Sequence, residues 1–268
     1  MAKQFDVAVI GGGITGLSAV QHALLGGCSV GHIIGADPLG GLVFNVGLLH
    51  GYPAGDQPMS GIGLASAMAA QNDKLGASVF HDDATSLEYG TSGFDIRLAD
   101  GQAIRAQQVI ASTGARLRML DVPGAHELLG KGISQCAWCD GALYKGKDVV
   151  VVGGGDAALE EALHLAQFAA RVAVVTRGNN FRARQTYVNQ IAMLDNVEFR
   201  WMSDVLEFVG NGRVEGVRLF NREENAQEQI PCSGAFVFIG LEANSRLLAG
   251  LADIDAEGLI VTDQAMRT

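Results

Sequence analysis

The sequence has no run of basic residues, and 29 Asp and Glu against 19 Lys and Arg leave a formal net charge of -10. A nucleic-acid surface needs clustered Lys and Arg to neutralise phosphates, so nucleic acid is not an expected partner. No apolar stretch reaches the roughly eighteen residues that read as a membrane-spanning helix. The N terminus, Met1-Ala2-Lys3-Gln4-Phe5-Asp6, lacks the basic segment and apolar centre of a signal peptide. A cytoplasmic protein with no membrane partner is therefore expected. Charged residues are also scarce, at 18%, while hydrophobic residues make up 48% and glycine occurs 36 times. That balance suits an α/β enzyme rich in tight turns and excludes a disordered chain. At 268 residues the chain is long enough for two modest domains, each with its own core.

Cysteine is limited to Cys28, Cys136, Cys139 and Cys232. A closed zinc site takes four ligands, and Cys28 and Cys232 have no Cys-x-x-Cys or His-x-x-x-His partner, which argues against zinc. These two read as buried small hydrophobes, the usual fate of free cysteine. The other two lie in Cys136-Ala137-Trp138-Cys139-Asp140-Gly141. Two thiols at this spacing can close a disulfide with little backbone movement, and a helix start or a nearby positive group favours the reactive thiolate. In a reducing compartment such a pair is a redox group rather than a structural staple.

What the chain has in abundance is glycine, at two places of similar grammar. Val7-Ala8-Val9-Ile10 runs into Gly11-Gly12-Gly13-Ile14-Thr15-Gly16 and then an apolar helical segment to about Leu25. Val149-Val150-Val151-Val152 runs into Gly153-x-Gly155-x-x-Ala158, a helix, and the strand Val172-Ala173-Val174-Val175. In such a loop the first glycine permits the tight turn and the second admits a pyrophosphate close to the backbone. The third small residue lets helix pack on strand. Two loops, each between a strand and a helix, point to two dinucleotides, with backbone amides and the helix dipole holding the phosphates. After the second of these units the strand ends in Val175-Thr176-Arg177 rather than an acid, which favours NADPH over NADH. Asp37 follows the second strand, where it suits either an adenosine ribose contact or a turn before Pro38. Between the loops we expect a helix over 62–75, strands over 77–80, 94–98 and 107–111, and a turn at Ser112-Thr113-Gly114. Linkers at 116–124 and 238–244 then leave 117–241 as an inserted domain.

These residues resemble the low-molecular-weight thioredoxin reductases, which are flavoprotein disulfide reductases. The likeness runs through Gly11-x-Gly13-x-x-Gly16, Gly40-Gly41, Ser112-Thr113-Gly114, the Cys136 to Gly141 motif, Gly153-x-Gly155-x-x-Ala158 and Phe238-Ile239-Gly240. It implies an α/β fold of two Rossmann-like domains, the second inserted in the first. FAD would occupy 1–116 with 242–268, and NADPH would occupy 117–241, which carries the cysteines. Gly40, Gly41 and Gly114 would approach the flavin nucleotide, and Arg177 with Arg182 would meet the 2′-phosphate. Cys139 would lie nearest the flavin, Cys136 would attack the substrate disulfide, and Asp140 would be the general acid/base, with a helix N-cap as its alternative role. A homodimer acting on a thioredoxin-like protein or a small disulfide is the implied assembly and partner.

The chain departs from the family at several points. Leu42 replaces a Gln, Gly51 stands for an Asn before Tyr52-Pro53, and Ala142-Leu143 replaces an aromatic pair that meets thioredoxin. Past the position of Thr268 the family continues into an Ala-Gly-Asp segment, so the FAD-binding domain reads as truncated at its C-terminal part. Two other readings remain open at this point. One is an FAD- and oxygen-dependent oxidase of small dithiols, and the other is a non-catalytic flavin or nucleotide redox sensor.

Overall fold

The structure, a computed structural model, describes residues 2–49, 59–265 and 267–268. The chain divides into two compact units, one of Met1–Arg116 with Glu242–Thr268 and one of Leu117–Leu241.

In the first unit, strand β1 (Lys3–Ile10) feeds helix α1 (Ile14–Leu25), followed by β2 (Val30–Ile33), α2 (Gly61–Lys74) and β3 (Ser78–Phe80). Three further strands, β4 (Ala84–Gly90), β5 (Gly93–Leu98) and β6 (Ala103–Ala111), complete a six-stranded sheet of order β3-β2-β1-β6-β5-β4. The first four strands of that order are parallel, and β6, β5 and β4 run antiparallel. β1 is covered on both faces, which is why its second half is an unbroken apolar run. Val7 and Val9 meet Val20 and Val30 on one side, while Ala8 and Ile10 meet Ile33, Phe80 and Ile96 on the other. α2 starts at Ser60, whose hydroxyl accepts the Gly63 amide at 3.1 Å. A short strand, β7 (Ala115–Leu117), leads onward.

The second unit contains β8 (Ile133–Ser134), α3 (Ala137–Asp140), β9 (Asp148–Val152), α4 (Asp156–Leu165), β10 (Arg171–Val175), α5 (Gln185–Ile191) and β11 (Val197–Arg200). An antiparallel meander of β12 (Ser203–Val209), β13 (Gly216–Asn221) and β14 (Ala226–Pro231) precedes β15 (Gly234–Val237), and β16 (Leu241–Ala243) returns beside β7. The main sheet is parallel throughout, in the order β11-β10-β9-β15-β8. Along β9, Val149 and Val151 face α4, and Val150 and Val152 face the core shared with the meander. Each unit thus places a glycine loop at the carboxyl end of a central parallel strand, the position where such sheets bind nucleotides.

The fold is α/β with two Rossmann-like units, as expected. The expected helix at 62–75 is α2, the strand at 94–98 lies within β5, and that at 107–111 is the end of β6. β4 and the β12–β14 meander were not anticipated. Their strands alternate buried with exposed residues or, as in Ala226-Gln227-Glu228-Gln229, expose a polar edge, so no apolar run announces them. Gly51, Tyr52 and Pro53 lie outside the described residues. No described helix is long and apolar enough to cross a membrane.

Candidate functional site

Cys136 and Cys139 are joined in a disulfide, with Cα atoms 5.3 Å apart. The single turn of α3 begins at Cys136, whose Sγ accepts the Cys139 amide at 3.1 Å. Ser134 anchors the entry: its Oγ accepts the Cys136 amide at 3.0 Å and donates to the Cys136 carbonyl at 3.3 Å. Cys136 is buried and Cys139 exposed. Asp140 closes α3, and its amide donates to the Cys136 carbonyl at 3.2 Å. Its carboxylate does not cap the 3-10 turn over Gly141–Tyr144 that follows, so the N-cap alternative is not what this side chain does.

Helix α4 holds the two residues between the cysteines. The Glu161 carboxylate accepts the Ala137 amide at 2.9 Å and also the Trp138 amide. Burial lifts the Glu161 carboxyl to about 7, against the opposing effect of those amides, and Glu160 raises it further. One turn along, the His164 ring stacks on the Trp138 indole, centroids 3.9 Å apart and planes 18° from parallel. Burial holds His164 below the usual histidine range, which favours the neutral ring in this stack. Neither Glu161 nor His164 was singled out from the sequence. The available signal was a carboxylate at the margin of the apolar stripe Ala158, Leu159, Ala162 and Leu165 on α4.

The two glycine loops share one construction. A Cβ on Gly11, at φ +128°, would lie 2.1 Å from the Ser112 carbonyl oxygen, and one on Gly16 would lie 1.9 Å from the Gly11 oxygen. In the second loop a Cβ on Gly153, at φ +146°, would sit 2.2 Å from the Phe238 oxygen and 2.9 Å from the Ala158 Cβ. Those glycines, and the small Ala158, are demanded by the protein's own packing. Gly13 and Gly155 are not: a Cβ would come no nearer than 3.9 Å to anything at Gly13 and would meet nothing within 4 Å at Gly155. Both are helix N-caps and carry no side chain to cap the first amides of α1 and α4. An open cradle lined by helix amides fits a pyrophosphate.

In the first unit Gly40 and Gly41 close on that cradle. The Gly40 amide donates to the Gly12 carbonyl at 2.8 Å, and a Cβ on Gly41 would lie 3.2 Å from Gly13 Cα. Gly114, at φ +64°, accepts the Asn244 amide at 3.0 Å, and Asn244 Nδ2 donates to the Thr113 carbonyl at 3.0 Å. Asp37 is exposed four residues past the end of β2.

In the second unit Arg177 and Arg182 follow β10 and are both exposed. Among the described residues neither has an acidic partner, whereas Arg184 is engaged by Asp156 at 2.7 Å. That pair occupies the one carboxylate in the first turn of α4, so it does not repel an anion there. The Arg182 amide donates to the Gly154 carbonyl at 2.8 Å, which fastens this arginine's backbone to the glycine loop. Of the remaining cysteines, Cys232 is buried and its thiol is pushed up to about 12, while Cys28, expected inside, is half-buried in the turn after α1.

Comparison with known proteins agrees with this construction. The sequence matches the family described as pyridine nucleotide-disulphide oxidoreductase over residues 5–268. The thioredoxin reductase of Listeria monocytogenes is 34% identical over 267 residues, covering 99% of this chain and 83% of the relative. That of Treponema pallidum is 34% identical over 268 residues, covering 100% and 86%. A crystal structure of the Lactococcus lactis thioredoxin reductase matches with a TM-score of 0.91 at 28% identity, over 98% of this chain and 86% of that one. With strand, glycine loop and helix twice over, and a Cys-x-x-Cys disulfide in the second unit, the chain belongs to the pyridine nucleotide-disulphide oxidoreductase family.

Proposed function

We propose that this protein reduces the disulfide of a thioredoxin-like protein, passing electrons from NADPH through FAD and the Cys136–Cys139 pair. It is an NADPH-dependent, FAD-containing disulfide oxidoreductase of the thioredoxin reductase kind. The observation that carries the reading is the disulfide itself, held against α4, the helix that begins at the second glycine loop. When bound, the two cofactors supply a two-electron path to that disulfide.

The chain's own residues divide the remaining work. Gly11, Gly13, Gly16, Gly40, Gly41 and Gly114 seat FAD, with Asp37 toward its ribose. Gly153, Gly155 and Ala158 seat NADPH, and Arg177 with Arg182 take its 2′-phosphate. Once the pair is reduced, the Cys139 amide stabilises a thiolate on Cys136, the nucleophile for thiol-disulfide exchange. Cys136 is buried beside an exposed Cys139, so its side chain must turn outward as the S–S bond opens. Asp140, one residue past the pair and with no side-chain capping bond, gives a proton to the departing thiolate and takes it back. Trp138 and Leu143, both exposed, offer an apolar face beside Cys139 for the partner, with Leu143 where the family's aromatic pair would stand. A cytoplasmic homodimer is part of the same proposal, and the likeness to thioredoxin reductases favours neither the dithiol oxidase nor the sensor.

The test is NADPH oxidation by the FAD-loaded protein in the presence of thioredoxin, compared for wild type, Cys136→Ser and Cys139→Ser. Wild type should turn over. Both variants should lose thioredoxin reduction while NADPH still bleaches the flavin. Persistent thioredoxin reduction by both variants would exclude the pair as the electron carrier.

A further inference from the structure

The two residues between the redox sulfurs are both gripped by α4, the backbone by Glu161 and the indole by His164. Glu161 is the unusual member. It is a carboxylate largely out of water whose hydrogen-bond partners are the Ala137 and Trp138 amides, and among the described residues no cation pairs with it. The Cys136 sulfur draws on the next part of the same turn, the Cys139 amide at 3.1 Å. A carboxylate and a sulfur thus share the amides of one four-residue helix. While the sulfurs are joined, the carboxylate is the sole anion among the described residues that draws on them. After reduction it has a competitor of its own sign.

We propose that Glu161 is a positioning residue of the redox pair that binds a proton when reduction leaves negative charge on Cys136. The inference rests on reading Cys136–Cys139 as the redox centre. In balance, two electrons break the S–S bond, one solvent proton goes to the Cys139 sulfur, the Cys136 sulfur keeps its charge, and a second solvent proton goes to Glu161. The electrons come from NADPH in the enzyme's own reaction. The neutral acid keeps an oxygen that accepts from Ala137 and removes the repulsion that would otherwise oppose the thiolate.

Other titratable groups do not take this role. On α4 itself Glu160 adds like charge, and the neutral His164 is committed to the indole stack. The turn at Gly141–Tyr144 brings Tyr144, and α5 brings Tyr187, both held above the usual tyrosine range and so uncharged near neutrality. Asp140, the last residue of α3, is assigned the separate task of the proton on the departing thiolate. Asp148 on β9 and Arg171 on β10 neutralise each other at 2.7 Å.

The sign follows from the oxidised state, in which Glu161 titrates at about 7. Below that pH it is protonated whether the pair is joined or open, and reduction takes up no extra proton there. Above it, the oxidised protein holds a carboxylate and the reduced protein an acid, so reduction takes up one proton more. That extra proton is a tenfold change in the reduction equilibrium per pH unit, about 30 mV for a two-electron couple.

The experiment equilibrates the full chain with reduced and oxidised dithiothreitol from pH 6 to pH 8.5. The dithiol fraction is read by alkylation and mass spectrometry for wild type and Glu161→Gln, in which the amide oxygen still accepts from Ala137 but cannot titrate. The buffer's own pH dependence cancels in the ratio of the two proteins. That ratio should be flat below pH about 7 and should rise above it in favour of reduced Glu161→Gln, approaching tenfold per pH unit. A ratio independent of pH overturns the inference while leaving the redox reading intact. A wild-type pair that dithiothreitol cannot open overturns both. If Glu161→Gln fails to fold, infrared difference spectra of wild type, reduced minus oxidised at pH 8, decide the matter. A protonated carboxylic acid band should appear on reduction, and its absence refutes the proposal.

Discussion

A single methyl group placed at either of two glycines in the second loop should separate a ligand seat from a structural turn. In Gly155→Ala the new Cβ enters space with nothing within 4 Å, and the backbone at φ −99° and ψ −177° is open to any residue. The change exchanges one N-cap residue for a poorer one, a cost of about 0.5–1 kcal/mol. The same methyl stands in the cradle where the α4 amides are uncapped, so a pyrophosphate can no longer reach them. NADPH affinity should fall at least about tenfold, or about 1.4 kcal/mol. Gly153→Ala is the opposite case. At φ +146° its Cβ would meet the Phe238 oxygen at 2.2 Å, and that strand end is fixed by the Phe238 amide donating to Val152 at 2.8 Å. Left-handed backbone strain costs about 1–3 kcal/mol, and the overlap adds about 1–3 more. Urea unfolding should therefore show Gly153→Ala strongly destabilised and Gly155→Ala nearly unchanged, while calorimetric titration should show Gly155→Ala binding NADPH poorly. If Gly155→Ala binds NADPH as tightly as wild type, the second glycine is not the pyrophosphate seat.

The two arginines beyond β10 should set the nucleotide preference. Arg177→Ala with Arg182→Ala should lower the NADPH-over-NADH ratio of kcat/KM by about ten- to a hundredfold, since charge-assisted bonds are worth about 1.5–3 kcal/mol each before solvent screening. Equal losses with both cofactors would show that neither cation meets the 2′-phosphate. Asp140→Asn should lower thioredoxin turnover by about a hundred- to ten-thousandfold, the range of general acid/base catalysis, with flavin reduction by NADPH unchanged. Turnover at the wild-type rate would place the proton elsewhere.

The parts of the fold legible in the sequence are those where local chemistry and packing agree. β1 and β9 are buried on both faces, so each is a plain apolar run, and each ends at a glycine triad whose first member occupies a backbone region other residues avoid. The β12–β14 meander shows only alternation, which needs a neighbouring sheet to have meaning. In the site, Cys136 and Cys139 could be read from their spacing, because residues three apart can close the disulfide on each other. Glu161 and His164 lie more than twenty residues away and matter only because α4 packs on α3. The apolar stripe of α4 sets Glu161 at its margin and Glu160 on the opposite face, but only the docking of α3 places Glu161 against the turn that carries the cysteines.

The most direct measurement is an anaerobic titration of the FAD-loaded protein with NADPH, quenched with an alkylating agent and read by mass spectrometry at each cysteine. The account predicts that Cys136 and Cys139 gain label together, reaching one pair per chain once two NADPH are consumed, one for FAD and one for the disulfide, while the buried Cys232 stays unlabelled in the folded protein. Consumption of two NADPH per chain that leaves Cys136 and Cys139 joined would contradict it.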